Sequence, residues 1–384
     1  MKILFLTYHG FEESSGISKK MLAQIKGLRQ NGHEVHVCYY DITTDGRHCR
    51  FVDNDIIQDY GRGRWATLYQ RMAYGCVFDY CCQNGIQLVY VRCFMNASPF
   101  NIRLFGRLRS AGIKAVMEIP TFPYDREMQT LPFKYRFEHV FDKMFRRRLA
   151  AVMDGIVTFT DEQQIFGQRT ICISNGVDLD SIPLHAPQTS HHAALHLIGV
   201  AEVHPWHGFD RVMKGLGEYY SQRVETGNRL PDVFFHVVGG VQPEYMEHVF
   251  TPIIEKYHLQ EQVVFHGKLF GKELDDVFNQ CHFAIGSLGR HRTGITTIKT
   301  LKNREYATRG IPFIYSETDS DFDGQPYVLK APADESPIDI QRIADFMDAF
   351  AMQSDEIRKT VEHLSWKSQM RRVLDDLINN CDLK

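Results

Sequence analysis

The sequence predicts an α/β protein made of two doubly wound domains, and three observations carry that expectation. Short apolar runs of strand length alternate with amphipathic stretches along nearly the whole chain. The alternation breaks once, at "PLHAPQTSHHAA" (183–194), which has little apolar periodicity, and then restarts. The chain has 384 residues, enough for about two or three domains of ordinary size.

The elements follow in order. "KILFLTY" (2–8) reads as a buried strand, and a polar turn then reaches Gly16. "ISKKMLAQIKGLRQNG" (17–32) spaces Ile17, Met21, Ile25 and Leu28 as one helical face and stops at Asn31-Gly32. Further strands are expected at "HEVHVCYY" (33–40), "IQLVYV" (86–91), "KAVMEI" (114–119), "GIVTF" (155–159) and "TICI" (170–173). After the break come "LHLIGVA" (195–201), "VFFHVVGG" (233–240), "QVVFHG" (262–267), "HFAIGS" (282–287) and "IPFIY" (311–315). This divides the chain into a first domain, 1–185, and a second, 186–363. Residues 364–384 remain as a C-terminal helix that periodicity does not place; it is free to pack back on the first domain. Ligands of such sheets bind at the carboxyl ends of the strands, so a cleft between the two is the expected site.

Composition narrows the function. Charged residues make up 24% and the net charge is −3, which argues against nucleic acid as a partner. The nine cysteines are irregularly spaced with no CxxC pair, so neither zinc nor a redox dithiol is expected. Cys38 and Cys172 read as small core hydrophobes of a reducing compartment. The apolar run "ILFL" is too short for a signal peptide, and no run approaches the ~18 residues of a membrane span. A cytoplasmic location is the expectation.

The segment "TTIKTLKNREYATRGIPFIY" (296–315) reads as a helix running into a strand, and its charges are unusual. Lys299 and Lys302 would lie near the positive end of the helix dipole, where cations are disfavoured. Arg290, His291 and Arg292 stand just upstream, and no Asp or Glu occurs from Val277 to Arg304. With flexible Gly294 and the small hydroxyls of Thr296 and Thr297, the pattern suits a diphosphate at a helix N-terminus. The plainer alternative is a solvated basic face. Glu305 would share a face with Ile298 and Leu301, where a carboxylate needs a reason such as two ribose hydroxyls. Its alternative is an i, i+4 pair with Arg309.

"LKNREYATRGIPFIY" resembles the donor-binding helix and following strand of retaining GT-B glycosyltransferases of family 4. "ISNGVDLD" (173–180), "VAEVHPWHGFDRVMKGL" (200–216), "HVVGG" (236–240), "VVFHGKL" (263–269) and "SSGISKKMLAQIKGLRQNGHEVHVC" (14–38) resemble further segments of that family in the same order. The resemblance implies a GT-B fold of two Rossmann-like domains facing a cleft. It implies a nucleoside-diphosphate-sugar donor, a glycan or lipid-linked acceptor, surface-polysaccharide synthesis, and no metal or other cofactor. It places Glu305 on the ribose, and Gly16, Gly239, Lys268 and Leu269 at donor-side loops. Glu202 and His207 stand where members often carry an Arg and a Lys for the diphosphate, and Thr297 where many carry a first Glu. Arg292 and Lys302 then become the expected replacements for the phosphate charge. Glu118 stands where relatives often have His, and Glu118, Tyr124 and Asp125 are expected sugar or acceptor contacts.

Other features are plainer. "DSD" (319–321) and "DLD" (178–180) fit acidic loops better than a metal site, and His185, His191 and His192 are expected to be solvated in the linker. "FKYRFEHVFDKMFRRRL" (133–149) reads as a helix with a core face and a charged side, or as a helix on a membrane surface at its inner, cytoplasmic face. Two other functions stay open: an NAD(P)-dependent oxidoreductase, with Asp41 past the second strand but no G-x-G-x-x-G turn, and a non-catalytic sugar-nucleotide binder.

Overall fold

Each apolar run named above forms a strand of a parallel array in the computed structural model, which describes residues 1–12, 15–92, 96–125, 133–186, 194–226 and 231–379. The first sheet has the strands β1 (Lys2–Leu6), β2 (Glu34–Ile42), β3 (His48–Val52), β4 (Asp55–Asp59), β5 (Leu88–Arg92), β6 (Lys114–Ile119), β7 (Gly155–Thr158), β8 (Gln164–Ile165) and β9 (Gln168–Cys172). Their order is β4-β3-β2-β1-β5-β6-β7-β9-β8. The antiparallel additions β3, β4 and β8 were not expected from the pattern. β3 and β4 are joined by the two residues Asp53-Asn54, with Asp53 in the left-handed region (φ 56°), the conformation that two-residue hairpins favour.

The second sheet has β10 (Ala194–Val200), β11 (Asp232–Val238), β12 (Val263–Gly267), β13 (Phe283–Ile285), β14 (Phe313–Tyr315) and β15 (Val328–Lys330). It is wholly parallel, in the order β12-β11-β10-β13-β14-β15. The chain winds one way from β10 to β12 and the other way from β13 to β15. The switch point is therefore between β10 and β13.

The chain forms two units, Met1–Gly176 with Ser365–Lys384, and Val177–Leu364. The expected division at residue 185 thus moves to Gly176/Val177, and hydrogen bonds explain why. Val177 N donates to Leu364 O (3.0 Å) and His185 N to Arg309 O (2.7 Å), while the Arg358 guanidinium donates to the carbonyls of Leu179 and Ile182. His185 is therefore buried rather than solvated, its Nε2 2.8 Å from Cys281 O. His191, His192, Cys93 and Cys381 lie outside the described residues. The helix Trp366–Asn379 belongs to the first unit. Its Trp366, Met370, Val373 and Leu377 pack with Met21, Ile25 and Leu28 of the helix Gly16–Gln30. A Cβ on Gly27 would stand 2.7 Å from the Trp366 carbonyl, so the two helices meet where there is no side chain. Cys38 is fully buried, as expected, and Cys172 is half-buried. Among the described residues no helix is long and apolar enough to cross a membrane.

Candidate functional site

The loops leaving β10, β13 and β14 meet beside the switch point of the second sheet. The loop after β10 carries a 3-10 turn, Pro205–His207, and the loop after β13 another, Arg290–Thr293. The two interlock: Leu288 N donates to His207 O (3.0 Å) and Gly289 N to Trp206 O (3.1 Å). A Cβ on Gly208, whose φ is 67°, would stand 2.7 Å from the Leu288 carbonyl carbon. Glycine is required there by both conformation and space.

The segment between the Arg290–Thr293 turn and β14 corrects the sequence reading. The helix begins at Leu301, not near residue 296, and runs to Arg309. Residues 296–298 are instead extended beside the segment after β14: Thr318 N donates to Thr296 O (2.7 Å) and Ile298 N to Thr318 O (3.0 Å). Thr300 caps the helix by accepting from Asn303 N. A buried ion pair then pins its first turns: Arg304 donates to both oxygens of Asp319 (2.6 and 3.0 Å) and to Asp321. The "DSD" segment is therefore partly a buried structural element rather than an acidic loop. Ile298 is not on the helix, so the shared face that singled out Glu305 does not exist. Glu305 Oε1 accepts from Arg309 Nε (3.1 Å), and Arg309 also binds Asp275 (2.8 Å).

Lys302, the second residue of this helix, is the unusual group. Its Nζ is buried with no hydrogen-bond partner among the described residues, and lies 5.6 Å from the centre of the Phe209 ring. Burial, together with the charge of Arg290, pulls its ammonium down to about 7, with Glu317 acting the other way. Glu317, two residues past β14, is 2% exposed, and neither of its oxygens has a partner among the described residues. Burial pushes its carboxyl up to about 7 against the pull of its own backbone N–H and of the charges of Arg290 and Lys302. The fully buried Ser287 hydroxyl, after β13, is likewise without a partner. Buried polar groups are nearly always bonded, so unpartnered groups of opposite kind gathered at this strand end make it the candidate site.

His207 joins the cluster as a neutral donor, not as a cation. Its Nδ1 accepts from His204 N (3.0 Å), which leaves the ring proton on Nε2. Burial, then Lys302 and Arg290, hold its pKa far below the ordinary imidazole value. Arg292, the other expected phosphate cation, is already neutralised. It forms two bonds to Asp210 (both 2.9 Å), two to Glu335 (2.8 and 2.6 Å) and one to Pro205 O. Its role is to tie the two interlocked loops together.

The remaining expected donor-side residues fall around the same strand ends. Glu202 pairs with Lys268 (2.9 Å) in an exposed bridge. Gly239 (φ 127°) admits no side chain, since a Cβ would lie 1.7 Å from Ala201 O. Leu269 packs half-buried in the core beside the helix Leu301–Arg309. Gly294 ends the Arg290–Thr293 turn in the left-handed region (φ 72°), and Thr296 and Thr297 form the extended stretch described above.

In the first unit, Gly16 opens the helix capped by Ser15, and no atom lies within 4 Å of a Cβ built there. The expected contacts of β6 and its loop are mostly consumed by the protein itself. Glu118 is fully buried: Oε1 meets Lys20 (3.3 Å) and Arg92 (3.0 Å), and Oε2 accepts from Gln24 (2.5 Å) and Tyr90 (2.6 Å). Burial alone would push its carboxyl up, but these partners outweigh it and hold it below the usual range. Buried Tyr124 donates to Asp142 (2.8 Å), and Asp125 is held by Arg146 in a two-bond fork (2.7 and 3.0 Å). Glu118 and Tyr124 are thus interior groups, not surface contacts for a sugar.

Sequence reasoning missed Glu317 and Ser287. The signal was there: both follow an apolar strand by two residues, at the strand end where ligands of this fold bind.

No family model matches the chain, and no curated protein matches it. Solved structures do. A sucrose-phosphate synthase from Thermosynechococcus elongatus matches with a TM-score of 0.65 at 14% identity, covering 100% of both chains. The catalytic domain of starch synthase IV from Arabidopsis thaliana, bound to ADP and acarbose, matches with a TM-score of 0.60 at 10% identity, covering 100% of this chain and 99% of that one. Anabaena Alr3699/HepE in complex with UDP matches with a TM-score of 0.54 at 13% identity, covering 99% and 97%. The fold is GT-B, the architecture of two Rossmann-like domains that these glycosyltransferases share.

Proposed function

We propose that the protein is a glycosyltransferase that moves a sugar from a nucleoside-diphosphate-sugar to a glycan acceptor, with retention at the anomeric carbon. The observation that carries the reading is Lys302: a buried, unpartnered ammonium at a helix N-terminus beside the switch point. Such a cation, with the free N–H groups of a helix start, suits a diphosphate and the charge that grows on it as the sugar departs. The likeness to chains solved with UDP and with ADP supports the same ligand class. Family resemblance supplies the retention, the independence from added metal and the role in surface-polysaccharide synthesis; the acceptor then attacks from the face the diphosphate leaves, and no protein nucleophile is required.

Calorimetry with UDP, ADP, GDP and NAD⁺ tests the reading. One of the diphosphates should bind the wild type and NAD⁺ should not, and Lys302→Met should weaken the diphosphate by ~1.5–3 kcal/mol while leaving the nucleoside unchanged. Binding of NAD⁺ alone would establish the oxidoreductase alternative. Turnover in EDTA with an α-linked product by NMR is expected from an α-linked donor, and an inverted product or a strict metal requirement would reject retention by this route.

A peripheral membrane contact, suited to a lipid-linked acceptor, rests on the helix Phe133–Ala151. Val140, Phe141 and Met144 are 58%, 41% and 64% exposed on it, next to Lys143, Arg147 and Arg148. The protein should float with anionic vesicles and not with neutral ones, and Met144→Glu should release it; flotation equal in both would remove this contact.

A further inference from the structure

We propose that Glu317 is the donor-sugar acceptor of the site, taking a hydrogen bond from a hydroxyl of the transferred sugar while Lys302 holds the diphosphate. The proposal rests on the reading of Lys302 as the diphosphate cation and adds a specificity residue to it. Glu317 is 2% exposed and both of its oxygens are without partners among the described residues. Its main chain is fixed. Glu317 O accepts from Lys330 Nζ, Ser316 N donates to Ser287 O (3.0 Å), and Thr318 N donates to Thr296 O (2.7 Å). Lys330 is itself anchored to Asp323 (2.8 Å). The carboxyl thus has no partner from another described residue, on a backbone bonded on both sides, which is how a recognition group is preorganised.

The chemistry of a nucleoside-diphosphate-sugar says what such a carboxyl meets. An ionised carboxylate repels phosphate, so beside a phosphate cation it must face neutral donors, and the neutral donors of this ligand nearest its phosphates are hydroxyls, because the N–H groups of the base lie beyond the ribose. The transferred sugar is joined to the phosphate through its anomeric carbon, with a hydroxyl on the adjacent carbon. The ribose hydroxyls stand two and three carbons from the ester carbon at the other end. A carboxyl two residues past β14, on the segment bridged to Thr296 and Ile298 just ahead of the helix that carries Lys302, is therefore assigned to the sugar next to the phosphate rather than to the ribose. Thr297, in the loop that Thr318 bridges, is a hydroxyl residue and brings no carboxylate of its own. Glu317 is the acidic group that this pair of segments contributes.

The experiment compares binding of UDP and UDP-glucose, or of ADP and ADP-glucose if the wild type prefers ADP, to full-length wild type and Glu317→Gln. The variant should bind the sugar nucleotide roughly tenfold more weakly or worse, and the diphosphate alone as well as the wild type or better, because a negative charge has gone. Its kcat/KM for the donor should fall, and the wild-type preference between the normal and the 2-deoxy-sugar donor should narrow. Glu317→Asp, which restores an acceptor on a shorter arm, should recover part of that preference. Equal loss for diphosphate and sugar nucleotide would place Glu317 on the ribose or in the packing, and would overturn the proposal. No loss for either would overturn it too. If the wild type binds no diphosphate at all, the reading of Lys302 fails first, and this inference falls with it.

Discussion

Glu118 in the first sheet and Glu317 beside the second occupy comparable places, at or just past the carboxyl end of a parallel strand, and both are almost wholly buried. Their surroundings differ completely. Glu118 has two cations, a phenol and an amide on its two oxygens, while the side-chain ends of Glu317 and the neighbouring Lys302 have no hydrogen-bond partner from another residue among those described. Taking a charge out of water costs several kcal/mol, and only good geometry with every lone pair used offsets it. The first cluster gives both oxygens of its buried carboxylate partners within the protein and is therefore structural. The second leaves the cost standing, which a fold tolerates where a ligand is to supply the missing bonds.

The largest expected effect tests the closed cluster. Glu118→Gln leaves Lys20 and Arg92 buried without their carboxylate and should destabilise the first unit by ~3–5 kcal/mol in urea unfolding. The pH dependence has a definite sign. The folded pKa of Glu118 lies below its unfolded value, so its ionised form contributes stability that is present above the unfolded pKa and lost as pH falls through the folded one. The variant should lack that acid-side loss. A variant as stable as the wild type would mean that the network is not what fixes this strand end.

The open cluster should respond in the opposite direction. Lys302→Met with Glu317→Gln removes two costly charges and should stabilise the second unit by ~1–4 kcal/mol while abolishing donor binding. Lys302, pulled down to about 7, penalises the fold at pH values below its unfolded pKa, with the full penalty below about 7. Glu317, pushed up to about 7, penalises it above its unfolded pKa, with the full penalty above about 7. Both penalties overlap near neutrality, so the gain should peak there and shrink toward acid and alkali in parallel melts. A double variant that is destabilised at pH 7 would show that the pair is bonded in solution.

The contrast also explains what could be read in advance. Strand runs and their alternation were visible because a parallel strand buried on both faces must be apolar throughout. "ILFL" and "LVYV" show this directly. The unusual setting of Lys302 was visible as a cation at the wrong end of a helix dipole. What the sequence could not show was which charges cancel. Arg292 and Lys302 stand ten residues apart in one acid-free stretch, yet Arg292 meets Asp210 and Glu335 from distant segments and Lys302 meets neither. Glu118 looked like a cleft residue for the same reason, since its partners Lys20 and Arg92 come from other βα units. Pairing across the fold is a tertiary fact, and periodicity carries none of it.

Glu305 is the residue on which the two kinds of cluster meet, and the effect expected there is the smallest. Its pairing with Arg309 is an i, i+4 contact on a partly exposed helix face, worth about 0.3–0.5 kcal/mol. Arg309 keeps Asp275 whether or not Glu305 is present, so the contact is not needed to neutralise it. We propose that Glu305 also accepts the ribose hydroxyls of the donor, as the family resemblance implies. Glu305→Gln should then cost ~1–3 kcal/mol in diphosphate affinity and little in stability. A 2′-deoxy diphosphate separates the cases, because two changes to one hydrogen bond overlap while changes to separate contacts add. If the deoxy ligand and the variant overlap in their losses, Glu305 belongs with the open cluster as a ligand contact. Should the losses add, or the variant bind as the wild type does, Glu305 is only the partner of Arg309 and belongs with the closed one.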